Sequence, residues 1–258
     1  MSERSLIDWL RKRTPLTQGI GDDCAVYTPK AGEDLVFTTD FTIEGRHFTL
    51  PEYTPREVGY KAMARGLSDI AAMGAEPRFV LCSLAVPDEA FAKPFFQGLF
   101  QHKVVLVGGD LSRSEKVHVD ITVCGAVPKG KAILRSGVRP GDRIYVSGPL
   151  GLWKKKPKPR LDLVPTLRRY ASAAMDITDG LSMDLDRMLL ASGLTCEITA
   201  APPVLRGATL EQAWHFGEDY ELLVASAKPL SKPFHEIAIA VAGKPGSPLP
   251  PRGWDHFR

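Results

Sequence analysis

"VHVDITVCGAV" occupies residues 117–127, and its reading decides the fold class. Val117, Val119, Ile121 and Val123 fall on one face, while His118, Asp120, Thr122 and Cys124 fall on the other. A period of two marks a half-buried strand, with one face on a core and one toward water. His118 and Asp120 are then the polar face of that strand. Three more strand-like runs come before it: "DLVFTT" at 34–39, "FVLCSLAV" at 79–86 and "KVVLV" at 103–107. Between the first two lies "TPREVGYKAMARGLSDIAAMGAEP", residues 54–77. Thr54 suits an N-cap, Pro55 the first helical position, and Glu57 completes a capping box. Leu67, Ile70, Ala71 and Gly74 keep helical spacing, so the stretch reads as one long helix ending near Gly74.

Downstream, "LRSGVRPGDRIYVSGP" at 134–149 sets glycines and prolines around one short strand. That punctuation places a domain boundary there, giving domains 1–136 and 137–258. The basic run "KKKPKPR" at 154–160 reads as a solvated loop. Then follow a strand near 173–177, a helix near 180–192, a strand at 195–199, a helix at 208–215, a strand at 221–226 and an apolar run at 236–242. Pro94 is expected to break or kink a helix in the stretch 88–103. Both halves mix strands and helices, so the class is α/β (α+β) in two lobes.

The bulk numbers agree with an ordinary globular protein. The chain has 258 residues, 44% of them hydrophobic and 24% charged, and a net charge of +3. Two domains is the natural division of that length. The weak net charge lacks the concentrated basic patch that nucleic acid needs. Cys24, Cys82, Cys124 and Cys196 are scattered with no C-x-x-C pair, which fits neither a zinc ribbon nor a disulfide scaffold and suits a reducing cytoplasm. The opening "MSERSLIDWLRKR" is too charged for a signal peptide. The longest apolar run, 79–86, is too short to span a bilayer, so no membrane partner is expected.

The acids carry the chemistry. Five segments join an apolar run to a glycine, serine or threonine and then aspartate: "GIGDD" (Asp22, Asp23), "FTTD" (Asp40), "LSD" (Asp69), "VGGD" (Asp110) and "MDITD" (Asp176, Asp179). Asp40 and Asp110 are read as closing their strands, where side chains converge on a crevice. Asp69 falls inside a helix, where aspartate is a poor former. Each acid alone has a plain structural reading: an Asx-turn at Asp22 and Asp23, an ion pair of Asp69 with Arg65, a helix cap at Asp179. Gathered carboxylates repel one another unless cations intervene, and all-oxygen ligands suit Mg²⁺ with substrate phosphates. Glycine amides close by can approach phosphate oxygens. No P-loop, G-x-G-x-x-G helix start, H-E-x-x-H or G-x-S-x-G is present.

Eight motifs run in order: "GIGDDCAV", "TTDFTIEGRHF", "VGYKAMARGLSDIAAMGAEP", "LVGGD", "LRSGVRPGDRIYVSG", "MDITDGLSMDL", "GEDYELL" and the terminal "GWDHF". Together they resemble the thiamine-monophosphate kinases of the aminoimidazole ribonucleotide synthetase-like superfamily. The resemblance implies an N-terminal mixed sheet with helices that pairs with a second subunit to form a homodimer. It also implies a C-terminal α/β domain and an active site in the cleft between the domains. The implied reaction is ATP plus thiamine monophosphate giving thiamine diphosphate and ADP, with Mg²⁺. By match, Asp22, Thr39, Asp40, Asp69, Asp110, Asp176, Thr178 and Asp179 hold metal ions, with Asp22, Asp110 and Asp179 at the centre of catalysis. Gly108, Gly109, Arg135 and Thr178 contact ATP. His47, Glu218, Asp219 and Trp254 lie toward thiamine monophosphate.

The chain departs from the family pattern after "VSGPLG", where the segment is short and Lys/Pro-rich instead of helical. Leu111 follows "GGD" where threonine is common, and Thr178 stands where serine is common. Competing readings are another ATP-dependent synthetase of the same superfamily, or a catalytically silent nucleotide-binding module. An acceptor phosphate monoester has a second pKa of about 6 and needs no general base. A site rich in acids and poor in bases suits that reaction.

Overall fold

A computed structural model describes residues 3–13, 24, 27–50, 52–153 and 156–254. The chain divides into two compact units, Met1–Ile70 with Glu76–Gly130, and Ala71–Ala75 with Lys131–Arg258.

The first unit holds α1 (Glu3–Arg11), β1 (Glu33–Ile43), most of α2 (Pro55–Ala72), β2 (Glu76–Val86), α3 (Ala92–Leu99), β3 (Val105–Arg113) and β4 (His118–Pro128). Its sheet runs β1-β4-β2-β3. β4 is antiparallel to both β1 and β2, while β3 is parallel to β2. The alternation of β4 holds from His118, which is exposed, to Val123: Val119, Ile121 and Val123 are fully buried. It ends at Cys124, which is fully buried instead of facing water, as are the residues that follow it to Val127. The capping box of α2 is present, with Glu57 accepting from the Thr54 amide at 3.0 Å and Thr54 accepting from the Glu57 amide at 3.3 Å. Helix and sheet meet where glycine removes bulk. A Cβ on Gly66 would lie 2.6 Å from Val123 Cγ2, and one on Gly59 would lie 2.0 Å from the Phe95 carbonyl oxygen.

Two sequence expectations change here. Pro94 does not break a helix, because it is the third residue of α3. First-turn amides have no intrahelical partner, so a missing N–H costs little there. Asp40 and Asp110 do not close their strands. β1 continues to Ile43 and β3 to Arg113, because β4 and β2 extend far enough to pair with them.

The second unit holds β5 (Arg143–Val146), α4 (Val164–Tyr170), β6 (Ala173–Asp176), α5 (Leu181–Ser192), β7 (Thr195–Ile198), α6 (Leu210–His215), β8 (Leu222–Ser226) and β9 (His235–Val241). Its five-stranded sheet, β6-β8-β5-β9-β7, is antiparallel at every step. One core lies against α5, where Leu181, Leu185, Met188 and Leu189 meet Val146, Leu223 and Ile237. A second gathers Leu163, Leu167, Tyr145, Val224 and Phe234. The helix α4 was absent from the sequence reading. It has only seven residues, and Leu163 and Leu167 gain their order from this second core. Isolated helices of that length are marginal, so packing decides it.

The basic run also differs from expectation. Pro157 and Pro159 are buried and only Lys156 and Lys158 are exposed among its described residues. Arg160 is drawn inward to Glu221 at 2.5 Å and to the Ser147 carbonyl at 2.8 Å. A guanidinium that meets a buried carboxylate is no longer a solvated charge.

Candidate active site

In the first unit, the acids sit on two faces of one sheet. Successive residues of a strand point to opposite sides. Thr38 and Asp40 face α2. There Thr38 Oγ1 donates to Asp69 Oδ2 at 2.5 Å, and Arg65 Nη2 lies 3.4 Å from Asp40 Oδ1. Asp69 thus has a reason to sit inside a helix: its carboxylate reaches the neighbouring strand. Thr39 faces the other side, donating to Asp120 Oδ1 at 2.5 Å. In this arrangement a single ion does not receive the side chains of both Thr39 and Asp40.

That other face carries a second acidic row. Asp110, Ser83 and Asp120 are successive register partners across β3, β2 and β4. Asp110 is exposed and Asp120 half-buried. The strand alternation alone shows Asp120 only as polar strand surface. It is also the acid nearest Thr39, which could have been found only by pairing the two strands. Gly109 has a φ of +146°, and a Cβ there would lie 1.8 Å from the Cys82 carbonyl oxygen. Only glycine fits beside β2 at that point, next to an irregularity in the β2–β3 register. Gly108 is less constrained, with its nearest contact at 3.1 Å.

His47 is 7% exposed, and its Nδ1 accepts from the Ile43 amide at 3.0 Å. Its carbonyl accepts from the fully buried Lys61 Nζ at 2.9 Å. The histidine therefore holds the turn after β1 in shape. Asp22 lies outside the described residues.

In the second unit, three distant motifs converge on the loop that follows β6. Asp176 ends that strand and is 7% exposed. All backbone polar groups of the next three residues are bonded. The Ile177 amide donates to Glu221 O at 2.8 Å, and its carbonyl accepts from the Tyr220 amide at 3.0 Å. The Thr178 carbonyl accepts from the Glu218 amide at 2.7 Å, and the Asp179 carbonyl from the Trp254 amide at 2.9 Å. The Thr178 and Asp179 amides both donate to Asp184 Oδ2, at 3.0 and 3.1 Å. Glycines permit this crowding. A Cβ on Gly217 would lie 2.2 Å from Thr178 O, and one on Gly253 would lie 2.1 Å from Asp179 O. With the backbone consumed, the loop presents chemistry only through side chains.

Asp179 does not cap α5. The N-cap is Gly180, with no side-chain cap, and Asp179 Oδ2 instead pairs with Arg187 Nη1. Arg187 Nη1 also reaches Asp184 Oδ1 at 3.1 Å. Asp184 is fully buried, and burial, then the nearby Asp179 charge, raises its pKa to about 6. Neither Asp184 nor Arg187 was singled out from the sequence. The signal available was their i,i+3 spacing on α5 beside the "TDG" turn.

The "GEDYE" segment is strained and buried. Glu218 and Tyr220 have φ of +61° and +54°, a conformation unusual for residues with a side chain. Asp219 is 1% exposed, and its Oδ1 accepts from the Gly151 amide at 2.9 Å. It therefore ties down the turn 148–151. Glu221, outside the expected set, accepts from Ser147 Oγ at 2.7 Å as well as from Arg160. Glu218 is 9% exposed, and Trp254 has 42% of its surface open. Arg135 is exposed on a turn, and its carbonyl accepts from Ser192 Oγ at 3.2 Å.

Among the described residues no three His, Cys, Asp or Glu side chains form a ready-made metal cage. Mg²⁺ does not require one, since it combines one or two carboxylates with waters and substrate phosphates. The donor set is all oxygen, in both units, and fits that ion.

Residues 21–127 match the family described as AIR synthase related protein, N-terminal domain. The thiamine-monophosphate kinase of Salmonella typhimurium is 34% identical over 273 residues, covering 90% of this chain and 83% of that protein. The chain belongs to the thiamine-monophosphate kinase family. Its fold is that of a solved thiamine-monophosphate kinase from Stenotrophomonas maltophilia K279a, with a TM-score of 0.85 and 29% identity over 98% of both chains. A second solved relative, described as AaThiL complexed with AMPPCP and TMP, gives a TM-score of 0.81 and 30% identity over 99% of this chain and 97% of that one. Thiamine-monophosphate kinase likeness thus spans both units, including the motifs that wrap Thr178 and Asp179.

Proposed function

We propose that this chain is an ATP-dependent kinase that phosphorylates thiamine monophosphate to thiamine diphosphate, in thiamine diphosphate biosynthesis. The observation that carries the reading is the 176–179 loop. Its backbone is wholly consumed by the family's own motifs, leaving Asp176, Thr178 and Asp179 to present oxygen. The relative bound to AMPPCP and TMP supports ATP as donor and the thiamine phosphate as acceptor.

A terminal oxygen of the acceptor phosphate attacks the γ-phosphorus of ATP, and the bond from that phosphorus to the β–γ bridging oxygen breaks to release ADP. The acceptor is largely dianionic at neutral pH, so no base has to remove a proton. Mg²⁺, when bound, neutralises phosphate charge and aligns the reacting groups. In the first unit, Asp40 and Asp69 on one face of the sheet and Thr39 and Asp110 on the other would hold separate ions, with Asp22 as a further ligand. In the second unit, Asp176, Thr178 and Asp179 would hold an ion of the same kind. Arg135 offers an exposed guanidinium to a phosphate, and the Gly108–Gly109 backbone comes close to one because no side chain intervenes. Glu218 and Trp254 lie beside the 178–179 loop and take the thiamine portion, while Asp219 holds the turn 148–151 and His47 holds the turn after β1 in its own unit.

The first unit serves as the ATP-, Mg²⁺- and dimer-forming domain. Two copies associate through its sheet: β1 is an edge strand, and Phe37 and Phe41 are 62% and 61% exposed on its open face. Exposed aromatics alternating with Thr39 on an edge strand are a surface that a partner would cover. The protein works in the cytoplasm. All four cysteines are free thiols, and no described helix is long and apolar enough to cross a membrane.

The test is ADP release with Mg²⁺ and ATP, comparing thiamine monophosphate with thiamine and with an aminoimidazole precursor. Release that depends on thiamine monophosphate is expected. Release that is no faster with it than without it refutes the kinase assignment.

A further inference from the structure

We propose that Asp184 and Arg187 are positioning residues that set the orientation of Asp179 for divalent-cation binding, an inference that rests on the proposed metal role of Asp179. Asp184 is the fourth residue of α5, yet its carboxylate does not cap that helix. The third and fourth amides of the helix, those of Met183 and Asp184, instead share the Gly180 carbonyl, each at 3.0 Å. Asp184 Oδ2 reaches back past the N-cap to the amides of Thr178 and Asp179. It thereby fixes the backbone from which two candidate ligands project.

A neutral acceptor would serve a purely structural tie at lower desolvation cost. A fully buried carboxylate beside another carboxylate is unfavourable unless a cation joins them. Arg187 is that cation. One terminal nitrogen bonds both Asp179 Oδ2 and Asp184 Oδ1, and the side chain keeps 39% of its surface exposed. A guanidinium used only to stabilise the core would not bridge to the partly open Asp179. The bridge holds the Asp179 side chain against its support while leaving it open at the loop. Residues that support a ligand in this way typically change metal affinity by about 10- to 100-fold when altered.

The experiment titrates Mn²⁺ into the metal-free chain by calorimetry, for wild type, Asp179→Asn, Asp184→Asn and Arg187→Gln, with a thermal melt of each. Asp184→Asn keeps one oxygen for the two amides, removes the charge, and puts an NH2 donor where Oδ1 accepted from Arg187. Arg187→Gln removes the cation from a partly exposed side chain and keeps the variant set informative if Asp184→Asn does not fold. Asp179→Asn is expected to abolish one class of Mn²⁺ sites. Asp184→Asn and Arg187→Gln are expected to weaken that same class about 10- to 100-fold. They should also raise the apparent KM for Mg²⁺ more than they lower kcat at saturating Mg²⁺, with melting midpoints near wild type. Wild-type Mn²⁺ binding in Arg187→Gln, or losses that only track a lowered melting midpoint, would overturn the positioning role. Wild-type binding in Asp179→Asn would instead overturn the metal role on which it rests.

Discussion

Gly109 places chemistry by having none of its own. Its Cα sits so close to β2 that a methyl group would overlap the Cys82 carbonyl at 1.8 Å, and its φ of +146° excludes other residues as well. Gly109→Ala is therefore expected to cost on the order of 3 kcal/mol or more, by combining strain with displaced pairing. A chemical-denaturation midpoint equal to wild type would show that β3 can shift without penalty. The aspartates were legible because each follows a small residue after an apolar run. Their partners were not. Asp120, Asp184 and Arg187 gain meaning only when strands are paired or a helix turns its face to a loop. Asp219 and His47 were legible as motif members, yet most of what they visibly hold is backbone.

At the scale of elements, strand alternation and capping were strong local signals. The β4 faces and the Thr54–Glu57 box could be read directly. Strand length could not, because β1 and β3 extend past their apolar runs wherever a neighbour supplies hydrogen bonds. The helix α4 escaped notice because its order comes from the core beneath it. The end of α3 leads to a further prediction. His102 packs against Tyr60 with the rings tilted and their centroids 4.2 Å apart, and its Nε2 lies 3.0 Å from the Tyr60 carbonyl oxygen. Burial holds its pKa below the ordinary 6.5, and the bond to Tyr60 offsets this only in part. The folded chain therefore stays neutral at this site, while the unfolded chain takes up a proton as pH falls below 6.5. Stability contributed by neutral His102 is complete above that pH and declines below it, by no more than about 1.4 kcal/mol per pH unit. His102→Phe should flatten that part of the pH–stability curve. An unchanged slope would assign the acid sensitivity to other groups.

For the whole molecule, the sequence supports two units of mixed class, and the structure describes each with its own sheet and helices. The compact units divide after Gly130, and residues 71–75 go with the second. Composition could not reveal a short segment that belongs with a distant one. If the open face of the first sheet is the dimer surface, Phe37→Asp with Phe41→Asp should halve the mass seen by sedimentation equilibrium. The same mass before and after substitution would exclude that face. If the 176–179 carboxylates carry phosphoryl transfer to thiamine monophosphate, removing the Asp179 charge stops it. Thiamine diphosphate formation is followed at limiting Mg²⁺ in wild type and in Asp179→Asn, with circular dichroism on both. One thiamine diphosphate per ADP is expected in wild type, with loss of turnover by at least about 100-fold in a variant that remains folded. Wild-type turnover by the folded variant would show that the Asp179 carboxylate does not carry the transfer.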